Sequence, residues 1–148
     1  MTIIVADASA GLMAADTLVT EDDLKSYHAV KIFRCSDGSI AGAAGNNEAS
    51  HAFLEWAMAG RKVGISAAKL SGLDGGLILQ PEGQILLFSA HPRPDVVVGG
   101  FAAVGCGRDV ALGARHAGAS AENCVKAAID LVTLCGGEVT VLHLHRGD

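Results

Sequence analysis

Thr2 follows Met1 directly and opens an apolar run, Thr2-Ile3-Ile4-Val5-Ala6. Methionine aminopeptidases remove Met when a small residue comes next, so a processed chain beginning at Thr2 is expected. A terminal threonine carries a hydroxyl and a free α-amine on one residue, which is a nucleophile with its own base. The amine has an ordinary pKa of about 7.7 to 8.0 and is substantially neutral near physiological pH, so it can accept the hydroxyl proton. A threonine inside a chain has no such base. Asp16 and Lys31 have the charges such a site needs: a nearby cation holds the amine pKa down, and a half-buried cation calls for a carboxylate.

The elements that position these residues follow from periodicity and punctuation. Thr2 to Ala6 reads as a strand, Ala8-Ser9-Ala10-Gly11 as a tight turn, and Gly11-Leu12-Met13-Ala14-Ala15-Asp16 as the returning strand of a hairpin. Lys31-Ile32-Phe33-Arg34-Cys35 forms a third strand-like segment, followed by the turn cluster Ser36-Asp37-Gly38-Ser39 and the strand Ile40 to Gly45. Asn46 and Asn47 are caps for a helix from about Glu48 to Gly60. Leu73 to Gln80 and Gln84 to Phe88 flank Pro81-Glu82-Gly83 as a second hairpin. Pro92 and Pro94 mark a loop, and Phe101 to Gly105 a short strand. Arg108 to Ala117 reads as a helix ended by Gly118, and Ser120 caps another from about Ala121 to Leu134, the two lying back to back. Gly136-Gly137 breaks the chain before a closing strand from Glu138 to Leu144. Periodicity alone gives the class α+β.

In pattern and order these segments resemble the proteasome family of N-terminal nucleophile (Ntn) hydrolases, and most closely the bacterial HslV-type peptidase subunit. The likeness rests on five pieces: the strand Thr2 to Val5, Ala14-Ala15-Asp16 with Val19-Thr20 after it, Val30-Lys31-Ile32-Phe33-Arg34, Ile40-Ala41-Gly42-Ala43-Ala44-Gly45, and the glycine-bounded turn Gly105-Cys106-Gly107 before an Ala-rich helix. The resemblance implies a four-layer αββα sandwich of two antiparallel sheets flanked by helices. It further implies Thr2 as nucleophile, Asp16 and Lys31 as its charged supports, and the Gly45 amide as an oxyanion donor. The implied activity is that of a threonine-type endopeptidase acting on unfolded polypeptide. Its implied setting is a homo-oligomeric ring, hexameric or heptameric and single or stacked as a double ring, fed by an ATPase unfoldase. Arg34, Ala44 and Asn47 are implied as pocket residues.

The sequence also departs from the family pattern. Cys106 stands where the family has a serine, and Thr133 lies near the place of an aspartate. A thiol is a weak hydrogen bonder and a threonine hydroxyl carries no charge. These differences keep open a catalytically silent ring subunit, structural or regulatory, and a third reading is a small-amide hydrolase using the same nucleophile on non-peptide substrates. Cys106 itself has no His or carboxylate at a spacing that would make it a nucleophile. The stretch Arg61 to Ser71 is short where the family has a longer helix.

Composition bounds the rest. A chain of 148 residues without a Pro-, Ser- or charge-rich linker suits one domain spanning residues 1–148. Half of the residues are apolar, yet only four are Phe, one Trp and one Tyr, so the core must be built from Ala, Val, Leu and Ile with glycines at close contacts. Mean hydropathy is +0.37 without an apolar run of the roughly 18 residues a membrane span needs, which assigns the surplus apolar surface to subunit contacts. A net charge of −5 and scattered Lys and Arg exclude a nucleic-acid stripe. No signal peptide is evident, and the four cysteines lack C-x-x-C spacing, so they read as buried free thiols in a reducing, cytoplasmic setting with neither disulfide nor zinc. His143 and His145 alternate on the last strand without a third ligand, and the other histidines are equally isolated. No cofactor is called for, and no G-x-x-x-x-G-K-[ST] loop is present for ATP hydrolysis.

Overall fold

The computed structural model describes residues 2–21 and 25–144. The elements in chain order are β1 (Ile3–Asp7), β2 (Leu12–Ala15), β3 (Leu18–Glu21), β4 (Lys25–His28), β5 (Ile32–Arg34), β6 (Ile40–Gly45), α1 (Asn47–Met58), a single 3-10 turn (Ala67–Leu70), β7 (Leu73–Leu79), β8 (Ile85–Phe88), β9 (Asp95–Val96), β10 (Phe101–Gly105), α2 (Arg108–His116), α3 (Ala121–Leu131) and β11 (Thr140–His143). One sheet runs β10-β1-β2-β11 and a second runs β5-β6-β7-β8-β9, while β3 and β4 form a separate two-stranded arm. Every neighbouring pair is antiparallel.

Three apolar clusters define the layering. Ile4, Ala6, Met13 and Ala15 of the first sheet meet Ile40, Ala44, Leu77, Leu79 and Ile85 of the second. On its other face the first sheet packs Ile3, Val5 and Ala14 against Ala111, Cys124, Val125 and Ala128 of α2 and α3. The second sheet packs Ala41, Ala43, Ile78 and Phe88 against Ala49, Phe53, Leu54 and Ala57 of α1. The order is α1, sheet, sheet, α2 with α3, the four-layer αββα sandwich. This explains why β1 is apolar from Ile3 to Ala6: successive side chains alternate between two buried faces, and only the strand's last residue, the buried Asp7, is polar, paired with Arg115 at 3.1 Å. Three aromatic pairs among Phe53, Trp56 and Phe88, two edge-on and the Phe53–Trp56 pair tilted, fill the α1 side with centroids 5.1 to 6.0 Å apart.

Most sequence-predicted elements are present, with some different limits. Asn46 caps α1, its side chain accepting from the Ala49 N–H at 2.8 Å, and Ser120 caps α3 through the Asn123 N–H at 3.2 Å. The last helix stops at Leu131 instead of reaching Leu134, because the β-branched Val132 turns extended (φ −104°, ψ 117°). The closing strand begins at Thr140 instead of Glu138. The arm β3–β4 and the two-residue β9 were not predicted; β9 is too short to carry a period. Between Arg61 and Ser71 the only helix is the single 3-10 turn, in keeping with the abbreviated segment. Among the described residues, no helix is long and apolar enough to cross a membrane. His143 is exposed at the end of β11, and His145 lies outside the described residues.

Candidate active site

The ends of both sheets converge on a cavity of about 730 Å³. Thr2, Lys31, Gly45 and Cys106 all line it, so four of the residues singled out in the sequence share one space. Asp16 stands behind them at 0% exposure and Lys31 is 8% exposed. Ala44 and Asn47 also line the cavity; Arg34 is not among the lining residues, and neither is Thr133, which is exposed in the turn after α3.

Asp16 is the hub of the site. Its Oδ1 accepts from Lys31 Nζ at 2.7 Å and from the Ile3 N–H at 3.2 Å, and its Oδ2 accepts from the Gly136 N–H at 3.0 Å. Lys31 Nζ also donates to the Leu18 carbonyl at 2.6 Å. The carboxylate is thus buried but satisfied, and it ties the residue after Thr2, the strand end before β5 and the loop after α3 to a single point. The backbone adds the Asp16 N–H donating to the Ile3 carbonyl at 3.2 Å.

Thr2 is fixed equally closely from its carbonyl side. The Gly107 N–H donates to the Thr2 oxygen at 3.4 Å and the Cys106 thiol to the same oxygen at 3.5 Å. Gly105 has φ +105°, and a Cβ built there would lie 2.0 Å from the Thr2 oxygen, so only glycine allows the two backbones to approach. Across the cavity, the register of β6 on β7 shifts between Ala44 and Gly45. Gly45 has φ +142°, and a Cβ there would meet the Gly72 oxygen at 2.5 Å and the Asp74 nitrogen at 2.8 Å. A bulge at the rim of a sheet re-aims the strand end, here into the cavity.

The sequence reading missed Cys135. It is 4% exposed, and its Sγ lies 3.5 Å from that of Cys106. Burial, then hydrogen bonding with Cys106, pushes its thiol from an ordinary value of 9.0 up to about 12. Cys106 is exposed, which corrects the expectation that all four cysteines are buried; Cys35 and Cys124 are. The remaining cavity wall is mixed, with Tyr27, Ser50, His51 and Asp74 beside the apolar Val19, Val30 and Leu54. These positions carry no sequence signal, since their place in the cavity depends on how the layers stack. Among the described residues, no group of three or more His, Cys, Asp or Glu converges as a metal site would require.

No protein-family model matches the chain, and no curated protein matches it. Solved structures do. The chain is similar to Thiobacillus denitrificans BPH in complex with epoxomicin, with 21% identity and a TM-score of 0.71 over 98% of this chain and 100% of that one. BPH in another structure of the same organism gives 21% identity and a TM-score of 0.70 over 99% and 100% of the two chains. Eukaryotic HslV from Trypanosoma brucei gives 16% identity and a TM-score of 0.68 over 95% and 98%. With its two antiparallel sheets between helical layers, the chain has the Ntn-hydrolase fold of the HslV and proteasome type.

Proposed function

We propose that the chain is an N-terminal threonine peptidase working by acyl transfer. The observation that carries this is the placement of Thr2: the start of β1 opens into the cavity, beside the buried Asp16–Lys31 pair and opposite the bulged Gly45. In a chain beginning at Thr2, the hydroxyl oxygen attacks a peptide carbonyl and its proton passes to the α-amine, directly or through water. The Gly45 N–H stabilises the oxyanion of the tetrahedral intermediate. Collapse breaks the C–N bond, the ammonium returns a proton to the leaving amine, and a water releases the acyl group as an acid to restore Thr2. Lys31 keeps positive charge near the amine and so favours its neutral, basic form. Asp16 holds Lys31 in place.

A homo-oligomeric ring that encloses these sites, an ATPase that delivers unfolded polypeptide and a cytoplasmic setting complete the proposal. Exposed apolar side chains such as Val63, Val98 and Leu131 are consistent with subunit contacts. A silent ring subunit is the second reading, favoured by the thiols of Cys106 and Cys135 beneath Thr2, where a hydroxyl would bond more strongly.

A peptide epoxyketone separates the two, since its warhead closes a ring on an amine and hydroxyl of one residue. Intact mass after incubation should show one adduct on chains beginning at Thr2. Processed chains that stay unlabelled, or chains that retain Met1, would establish the silent subunit.

A further inference from the structure

We propose that Cys106 and Cys135 form a redox-active dithiol, which a hydroperoxide converts to a disulfide directly beneath Thr2. The two sulfurs lie 3.5 Å apart although the residues come from different loops, one after β10 and one after α3. A disulfide needs about 2.05 Å between sulfurs, so the bond forms with about 1.5 Å of closure. The environments of the two thiols are unequal in the way a peroxide-sensing pair requires. Cys106 is exposed on the cavity wall and meets solutes, whereas Cys135 is buried behind it. Gly107 leaves room for this contact, since a Cβ there would lie 3.0 Å from the Cys135 sulfur.

The steps balance with a hydroperoxide as the sole oxidant. The Cys106 thiolate attacks the terminal peroxide oxygen; the S–O bond forms, the O–O bond breaks, and the other oxygen leaves after protonation as an alcohol, or as water when the oxidant is hydrogen peroxide. Cys106 is then a sulfenic acid. The Cys135 sulfur attacks the Cys106 sulfur, the S–O bond breaks, and the expelled hydroxide takes the Cys135 thiol proton to leave as water. Two thiols are oxidised by two electrons, and the peroxide is reduced. Burial holds the Cys135 thiol protonated, which assigns the first attack to Cys106 and the resolving role to Cys135.

The bond joins the two loops that fix the site. Cys106 and Gly107 hold the Thr2 carbonyl, and Gly136, next to Cys135, holds Asp16. Drawing the sulfurs together shifts these supports against each other. Resting on the threonine-peptidase reading, the disulfide slows acylation of Thr2 by roughly ten- to a hundredfold, the effect of about 1 Å of misplacement. A thiol reductant restores the rate.

Hydrogen peroxide applied to the full chain, followed by alkylation and tryptic mapping without reduction, tests the bond. The sequence places Cys106 alone in the peptide Leu70 to Arg108 and Cys135 alone in Ala127 to Arg146. The expected product is these two peptides linked, two hydrogens lighter than their sum, within a monomeric chain. Cys106→Ala should leave Cys135 unoxidised, and Cys135→Ala should let Cys106 proceed to sulfinic acid. Sulfinic acid on Cys106 in the wild-type chain without linkage, or linkage between two chains, overturns the proposal. Epoxyketone labelling before and after oxidation reads the effect on Thr2 separately. A chain that never labels refutes the peptidase reading while the mapping still decides the dithiol, and a linked chain that labels at an undiminished rate refutes the coupling.

Discussion

Neutralising the buried pair one partner at a time, and then together, tests whether Asp16 and Lys31 act as a unit. Asp16 and Lys31 lie 2.7 Å apart, so in each of the variants Asp16→Asn and Lys31→Met one charge is removed and the other is left inside the protein beside a neutral neighbour. Breaking a pair this deeply buried costs about 3 to 5 kcal/mol, because the surviving charge keeps its desolvation penalty and loses its counter-ion. Asp16→Asn also weakens the hydrogen bonds from Ile3 and Gly136, since an amide presents one acceptor where the carboxylate presents two. In a domain of this size each kcal/mol moves the melting temperature by about 2 to 4 °C, so each single variant should melt about 6 to 20 °C lower. The double variant buries no charge from either position and should fall short of the sum by about 2 kcal/mol or more. Urea unfolding of the four proteins, with m held constant, yields the coupling directly. Additivity within about 0.5 kcal/mol, or single costs below about 1 kcal/mol as for a surface pair, would refute the reasoning.

Gly105→Ala should displace Thr2, because the new Cβ collides with the Thr2 carbonyl and the backbone is left-handed there. Epoxyketone labelling should fall at least about tenfold, with a melting temperature several degrees lower by calorimetry; unchanged labelling would exclude the close approach. Alkaline conditions should destabilise the fold through its buried thiols. Burial raises Cys35 from 9.0 to about 11, so the folded form keeps a proton that the unfolded chain loses above pH 9. The stability from Cys35 is therefore complete below about pH 9 and is lost as pH rises toward 11. In Cys35→Ala the decline over that window should be shallower than in the wild type, read from urea midpoints at each pH.

The parts of this fold that were legible in the sequence are those whose ends carry their own chemistry. Gly11, Gly38, Gly60, Gly83 and Gly118 all sit at positive φ in turns or helix ends, and Asn46 and Ser120 cap helices through their side chains. The β3–β4 arm was not legible because Lys25-Ser26-Tyr27-His28 alternates without an apolar face to bury. Thr2, Lys31, Gly45 and Cys106 meet in one cavity as their order along the chain suggested, but Cys135 did not announce itself. Its contact with Cys106 depends on where α3 ends, and that end lay three residues earlier than the apolar pattern predicted. Thr133, near the place of the family's aspartate, is exposed in the turn that follows this early ending.

The site divides into a stiff part and an adaptable part, and the division has consequences for chemistry. Apart from the exposed Cys106 thiol, the contacts that fix Thr2 are backbone or buried side chain: the Ile3 N–H on Asp16, the Thr2 carbonyl under Gly107, and Gly105 pressed against it. Such contacts leave little freedom, which under the peptidase reading suits a nucleophile that must meet a carbonyl within fractions of an ångström. The facing wall is of another kind, since Tyr27, Asn47, His51 and Asp74 are exposed and come from the arm, α1 and β7. Under the peptidase reading, this wall meets the substrate side chain while the stiff half performs the acyl transfer. Changes at the wall can therefore alter which residue is accepted with little effect on folding, whereas changes in the stiff half alter stability and rate together.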